Sequence, residues 1–230
     1  MISFFTGTLQ ESVFVAIYPP KILRVLLVAF QGRIKFVSKF VRYFPDKKTF
    51  ENYCDDFDAI PVFRRILCDS LTPVSAFRRI DNGTDACLFE SVVGGERVGR
   101  YSFLAVNPQM RLTASGKQVT TTTNDGAEKT TSTDNPLEEF RKHIDQVKVA
   151  QIEGLPPFTG GAVGYAAYDT VRYVEHLPLA PEDDRHLSDL SFAFYDEMLV
   201  FDHITKTLTI IALAWPSRFA TRDEAFDDAM

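Results

Sequence analysis

The spacing of apolar residues changes several times along the chain, and each change marks an element. From about Phe57, residues Ile60, Phe63, Ile66 and Leu67 fall on one helical face with Arg64 and Arg65 on the other, which predicts an amphipathic helix. Thr72 and Pro73 then supply an N-cap and a first-turn proline for a second short helix carrying Val74, Phe77 and Ile80, closed by a turn at Asn82 and Gly83. Two short apolar runs, 87–89 and 101–106, flank a glycine-punctuated segment at 93–99 and predict strands joined by a shaped loop. Met110, Leu112 and Ala114 alternate with polar neighbours up to Ser115 and Gly116, and Val119 resumes the alternation, so a hairpin is expected. Residues 120–134, rich in Thr, Asp, Asn and Gly, have no apolar period and read as an exposed loop.

Asn135 and Pro136 open a further helix, with Glu138 and Glu139 at the positive end of its dipole and Leu137, Phe140, Ile144 and Val147 as its buried stripe. After Pro156 and Pro157 comes a glycine-rich apolar stretch, 160–169. The runs 192–201 and 207–214 read as two strands about a turn at 202–206. Together these elements predict an α+β fold in which antiparallel sheets pack as a sandwich with flanking helices.

Composition narrows the picture. With 45% hydrophobic and 24% charged residues, the 230-residue chain can bury one sizeable core. Its net charge of -6 argues against a nucleic-acid partner, because counterion release needs clustered Lys and Arg. The charge is uneven: residues 1–42 carry +5, which leaves -11 for the remainder. The apolar stretch 13–30 is interrupted by Pro19, Pro20, Lys21 and Arg24 well short of the ~20 residues a membrane span needs. It also reads badly as a signal peptide, since its positive charges follow the apolar run. Residues 1–44 therefore read as a basic, apolar extension, consistent with a start codon assigned too far upstream, ahead of a domain at 45–230. Cys54, Cys68 and Cys87 are odd in number and lack CxxC spacing, which suits a reducing cytoplasm better than a disulfide framework or a zinc site.

No catalytic constellation stands out on residue chemistry alone. Residues 160–164 lack both the GK[ST] ending of a phosphate loop and the GxGxxG dinucleotide fingerprint, so their glycines are expected to permit close backbone approach or a bend, with Tyr165 and Tyr168 packed beside them. None of His143, His176, His186 and His203 has a partner at metal-ligand spacing. Ser91 is not in a GxSxG elbow, and the acidic run 182–184 reads as a solvated loop.

Three blocks taken together do carry a resemblance. They are Leu71-Thr72-Pro73-Val74-Ser75-Ala76-Phe77; Leu88-Phe89-Glu90-Ser91 leading into Gly94-Gly95-Glu96-Arg97 and Gly99-Arg100-Tyr101-Ser102-Phe103-Leu104; and Pro157-Phe158-Thr159-Gly160-Gly161-Ala162-Val163-Gly164-Tyr165 with Tyr168, Asp169 and Arg172. In this order they resemble component I of anthranilate synthase and its relative, aminodeoxychorismate synthase component I, from roughly residue 45 to the end.

The resemblance implies a cytoplasmic lyase of tryptophan biosynthesis that takes chorismate and ammonia to anthranilate and pyruvate. It also implies magnesium on the chorismate carboxylate and ammonia from a glutamine amidotransferase partner, component II. On the resemblance this chain is expected to be the N-terminal, regulatory part of that enzyme, with the chorismate-binding half missing, no cofactor of its own and no catalytic residue. Its expected ligand is the feedback inhibitor L-tryptophan, held by Glu90, Ser91 and Arg100: a carboxylate for the ammonium, a hydroxyl to hydrogen-bond it, and a guanidinium for the carboxylate. Phe89 departs from the leucine expected second in that block. The alternatives are a stand-alone tryptophan-binding module, an inactive fragment, or a piece of the folate-branch enzyme.

Overall fold

A computed structural model describes residues 13–17, 42–83, 85–90, 99–178 and 182–230. In chain order the strands are β1 (Val13–Ile17), β2 (Ile60–Leu67), β3 (Ala86–Phe89), β4 (Tyr101–Val106), β5 (Met110–Ser115), β6 (Gln118–Thr123), β7 (Glu128–Ser132), β8 (Gly161–Ala166), β9 (Leu190–Tyr195), β10 (Glu197–Asp202) and β11 (Thr207–Ala214). The α-helices are α1 (Lys47–Tyr53), α2 (Pro73–Ile80), α3 (Pro136–Asp145) and α4 (Arg222–Ala229), and a 3-10 helix spans Tyr168–Tyr173. The strands form a six-stranded sheet, ordered β1-β8-β9-β5-β6-β7, and a five-stranded sheet, ordered β2-β11-β10-β4-β3. Every strand pair is antiparallel.

Alternation along the strands decides which face of each sheet is buried against what. In the six-stranded sheet Leu112, Ala114, Ala162, Leu190, Phe192 and Phe194 point to one side, where α3 inserts Phe140. Val163, Ala193 and Tyr195 point to the other side and join the core of the five-stranded sheet, around Leu104, Val106, Leu199 and Ile211. A separate cluster covers the β2 and β11 end of the five-stranded sheet, where Phe50 of α1 meets Phe226 of α4 at 5.0 Å between ring centroids.

The caps explain where the helices begin. Thr72 and Ser75 form a reciprocal capping box at the start of α2, with Thr72 Oγ1 accepting from the Ser75 amide at 3.2 Å and Ser75 Oγ accepting from the Thr72 amide at 3.0 Å. Asn135 accepts from the Glu138 amide at 3.3 Å at the head of α3. Both helices stand where the caps and prolines placed them.

Three expectations are corrected. The helix expected from Phe57 is strand β2, paired with β11 along its whole length from Ile60↔Ala214 to Leu67↔Thr207. A short apolar run satisfies either period, and here a β-branched partner strand decides; Pro61 is tolerated because β2 is an edge strand. The expected loop at 120–134 contains the rest of β6 and all of β7. Its threonines suit solvated strands without any apolar period, and Thr120 Oγ1 lies 2.9 Å from Thr130 Oγ1 across the pair. The single strand expected at 192–201 is two strands in different sheets, broken at Asp196, which is fully buried and accepts from Arg218 Nη1 at 3.0 Å. The segment is apolar on both sides of the corner, so its sequence carries no mark of the crossing. Among the described residues no helix is long and apolar enough to cross a membrane.

Candidate functional site

The crossing at Asp196 holds the inner face of the six-stranded sheet beside β3, the free edge of the five-stranded sheet. Between them lies a cleft of about 450 Å³. One wall is Asp85 to Phe89; the other is built from Arg111 of β5, Val163 to Tyr165 of β8, and Ser191 to Ala193 with Tyr195 of β9. The close approach of β8 to β9 requires Gly164: a Cβ there would overlap the carbonyl oxygen of Ser191. This is the close approach that the glycine-rich stretch implied.

The charge inside the cleft is simple. Among the described residues Asp85 and Arg111 are the formally charged ones that line it, and they form an ion pair with each other. Burial pushes the Cys87 thiol up to about 12, so it stays protonated and is a poor nucleophile at neutral pH. Burial, and then the neighbouring Cys87, push the Tyr195 phenol upward too, which keeps it neutral. What remains is one cation, one anion, the hydroxyl-bearing Tyr165 and Ser191, and an apolar lining that includes Leu88, Phe89 and Val163. Such a set can hold and orient a small ligand; among the described residues no histidine or glutamate lines it.

Of the residues expected to hold L-tryptophan, Glu90 and Arg100 do not line this cleft. Glu90 is exposed, immediately after β3. Arg100 immediately precedes β4, so the β3–β4 hairpin brings both residues to one end; Phe89 pairs with Phe103 there. Arg100 donates to Asp202 Oδ2 from Nε at 3.2 Å and from Nη2 at 2.8 Å, and its guanidinium stands 4.9 Å from the centre of the Tyr101 ring. Burial alone would raise the Asp202 carboxyl, but the Arg100 hydrogen bond and the amides of Thr205 and Ile204 outweigh it and bring it down to about 2. Ser91 lies outside the described residues.

Asp85, Arg111 and Ser191 were not singled out from sequence. A faint signal existed for Arg111, since the alternation of Met110, Leu112 and Ala114 puts it on the opposite face of β5. Among the described residues no group of three or more His, Cys, Asp or Glu side chains could hold a metal ion. Of the described lining residues Asp85 alone carries a carboxylate, and Arg111 occupies it, so the described lining does not fit the magnesium that the resemblance implies. Asp169 and Arg172 of the third block pair with each other at 2.6 Å in the 3-10 helix.

Comparison with known proteins bears on these positions. A family model described as chorismate binding enzyme matches residues 85–225. The chain is 35% identical over 169 residues to anthranilate synthase component 1 of Acetivibrio thermocellus, covering 74% of this chain and 34% of that protein. It is 39% identical over 183 residues to the chloroplastic anthranilate synthase alpha subunit 2 of Oryza sativa subsp. japonica, covering 74% of this chain and 30% of that one. A probable anthranilate synthase component 1 of Schizosaccharomyces pombe is 34% identical over 194 residues, covering 83% and 36%. The chain thus spans about a third of the length of these curated relatives.

The family match overturns part of the earlier reading. The region taken for an N-terminal, regulatory part is where the chorismate-binding model falls, so the chorismate-binding half is not missing from this chain. The reading of the fold as an incomplete N-terminal part gives way with it, as do a chain without a catalytic domain, a stand-alone tryptophan-binding module and an inactive fragment. The misplacement comes from the resemblance, which puts the chorismate site in a half beyond these blocks, whereas the family match falls on residues 85–225 and includes the second and third of them. The cleft walls come from strands far apart in sequence, a juxtaposition that no single block shows.

Proposed function

We propose that this chain, which belongs to the chorismate binding enzyme family, supplies the chorismate-handling part of an anthranilate synthase, the lyase that takes chorismate and ammonia to anthranilate and pyruvate, and that the cleft between the two sheets is its ligand seat. The observation that carries this reading is the coincidence of the family match with the cleft, since every lining residue falls within 85–225. Relatives named as anthranilate synthases support the choice of reaction. The test supplies chorismate with ammonium to the purified chain and follows anthranilate fluorescence. A rise that depends on both substrates is expected, and its absence at high protein concentration overturns the reading.

A cytoplasmic setting belongs to the same proposal and is supported by the three free thiols, Cys54, Cys68 and Cys87. So does the boundary near residue 45 that separates an extension from the domain. We assign L-tryptophan contacts to Glu90, Ser91 and Arg100 as a further part of it, supported by the hairpin that brings Glu90 and Arg100 to one end. Calorimetric titration with L-tryptophan tests the assignment: saturable heat that Glu90→Gln weakens is expected, and equal heat from both proteins removes Glu90 from the site.

A further inference from the structure

We infer that Asn82 and Gly83, in the turn between α2 and β3, form a self-modifying site that deamidates with Asp81 as the base. The Gly83 nitrogen attacks the Asn82 side-chain amide, ammonia leaves, and the succinimide so formed opens to aspartate or isoaspartate. This chemistry is independent of the ligand seat, although it acts on the chain that leads into one wall of the cleft.

The sequence favours this position over the other asparagines. Asn52 lies inside α1 ahead of Tyr53, Asn107 and Asn135 precede prolines whose nitrogens have no proton to lose, and Asn124 precedes Asp125. Asn82 alone precedes a glycine, where no side chain screens the attacking nitrogen. The turn is also open. Asp81, Asn82 and Gly83 are exposed, and among the described residues nothing lies within 4 Å of the place a Cβ on Gly83 would take. A five-membered ring has room to close there, and water has access to open it.

Two hydrogen bonds bear on the reacting groups. The Gly83 N–H must lose its proton for the nitrogen to attack, and it donates to Asp81 Oδ1 at 2.9 Å, so a carboxylate stands where a base is needed. Asn82 Nδ2, the leaving nitrogen, donates to Asn107 Oδ1 at 2.5 Å, across to the turn between β4 and β5. In the reaction a bond forms between Gly83 N and Asn82 Cγ while the bond from Cγ to Nδ2 breaks. The Gly83 proton passes by way of Asp81 to the departing nitrogen, which leaves as ammonia. Water then adds to one of the two imide carbonyls. Addition at Cγ restores the ordinary main chain with aspartate at 82; addition at the main-chain carbonyl leaves the chain running through Cγ, one methylene longer, as isoaspartate.

The two products differ in effect. Both add a negative charge beside Asp81 and remove the donor that Asn107 accepts. Asn107 can turn its own amide and donate to an aspartate, which keeps the two turns together. Isoaspartate lengthens the main chain between the end of α2 and the first β3 pair, Ala86↔Val106, and so loosens β3.

The test holds the purified full chain in warm, mildly alkaline buffer, digests it at intervals, and reads each asparagine-bearing peptide by mass spectrometry with enzymatic labelling of isoaspartate. Conversion is expected first at Asn82, ahead of Asn124, which is equally exposed in the turn between β6 and β7. Asn82→Gln is expected to lose the signal at this position, and Asp81→Ser, which keeps a turn-forming oxygen without a carboxylate, to slow it. The aged chain should melt below the fresh one, whereas Asn82→Asp, which has the ordinary main chain, should melt close to it. Conversion at Asn124 ahead of Asn82, or an unchanged rate in Asp81→Ser, overturns the inference. An aged chain that carries isoaspartate at 82 and melts with the fresh one overturns the effect assigned to β3.

Discussion

Arg100 and Asp202 tie the foot of β4 to the turn that joins β10 to β11: Asp202 Oδ2 takes the guanidinium at 2.8 Å, while Oδ1 accepts from the amides of Ile204 at 2.9 Å and Thr205 at 3.1 Å. One carboxylate thus closes a hairpin turn and fixes the strand beside it. Because Asp202 is nearly buried and Arg100 only partly exposed, the pair is screened less than a surface bridge.

Asp202→Asn should destabilise the chain by about 1–2 kcal/mol at neutral pH, since it keeps the amide contacts but loses the charge that Arg100 faces. The carboxyl sits at about 2 in the folded chain, below the ordinary value of about 3.9 for an unfolded aspartate. Its contribution is therefore complete above about pH 4 and lost as the pH falls toward 2. Urea unfolding at a series of pH values checks this: the gap between wild type and variant should narrow across that interval. A constant gap contradicts the assignment.

Gly164→Ala should cost about 1–3 kcal/mol, because the new methyl meets the Ser191 carbonyl and the two backbones must part. Thermal melts check this, and a variant as stable as wild type contradicts the close packing of β8 on β9.

Phe140 of α3 stacks on Phe192 with ring centroids 4.1 Å apart, on the face of the six-stranded sheet away from the cleft. Phe140→Ala should destabilise the chain by about 3 kcal/mol. Where the variant remains folded, its chorismate affinity should be unchanged. A loss of affinity at a temperature where the chain is folded shows that α3 shapes the cleft, contrary to the arrangement described.

The contrast between α3 and β2 shows what could be read from the sequence. The helix at 136–145 carries an asparagine cap, a first-turn proline and an apolar stripe that all agree, and these are local properties of the residues concerned. The segment at 60–67 carries no cap, and its pattern fits two periods; the choice was made by β11, whose residues lie far along the chain. The cleft follows the same rule on a larger scale. Gly164 fits a close approach, but Asp85 beside β3 and Arg111 of β5 belong to different sheets, which the chain joins at Asp196, a corner hidden inside a continuous apolar run. The family resemblance identified the kind of protein and misplaced the part, because it assigned these blocks to the half that precedes the chorismate site.

The most direct test of the account titrates the isotopically labelled chain with chorismate and follows its backbone amides. Saturable shifts concentrated on β3, β8 and β9 are expected. No shifts, or shifts confined to the outer face around Phe140 or to the pair of Phe50 and Phe226, would contradict it.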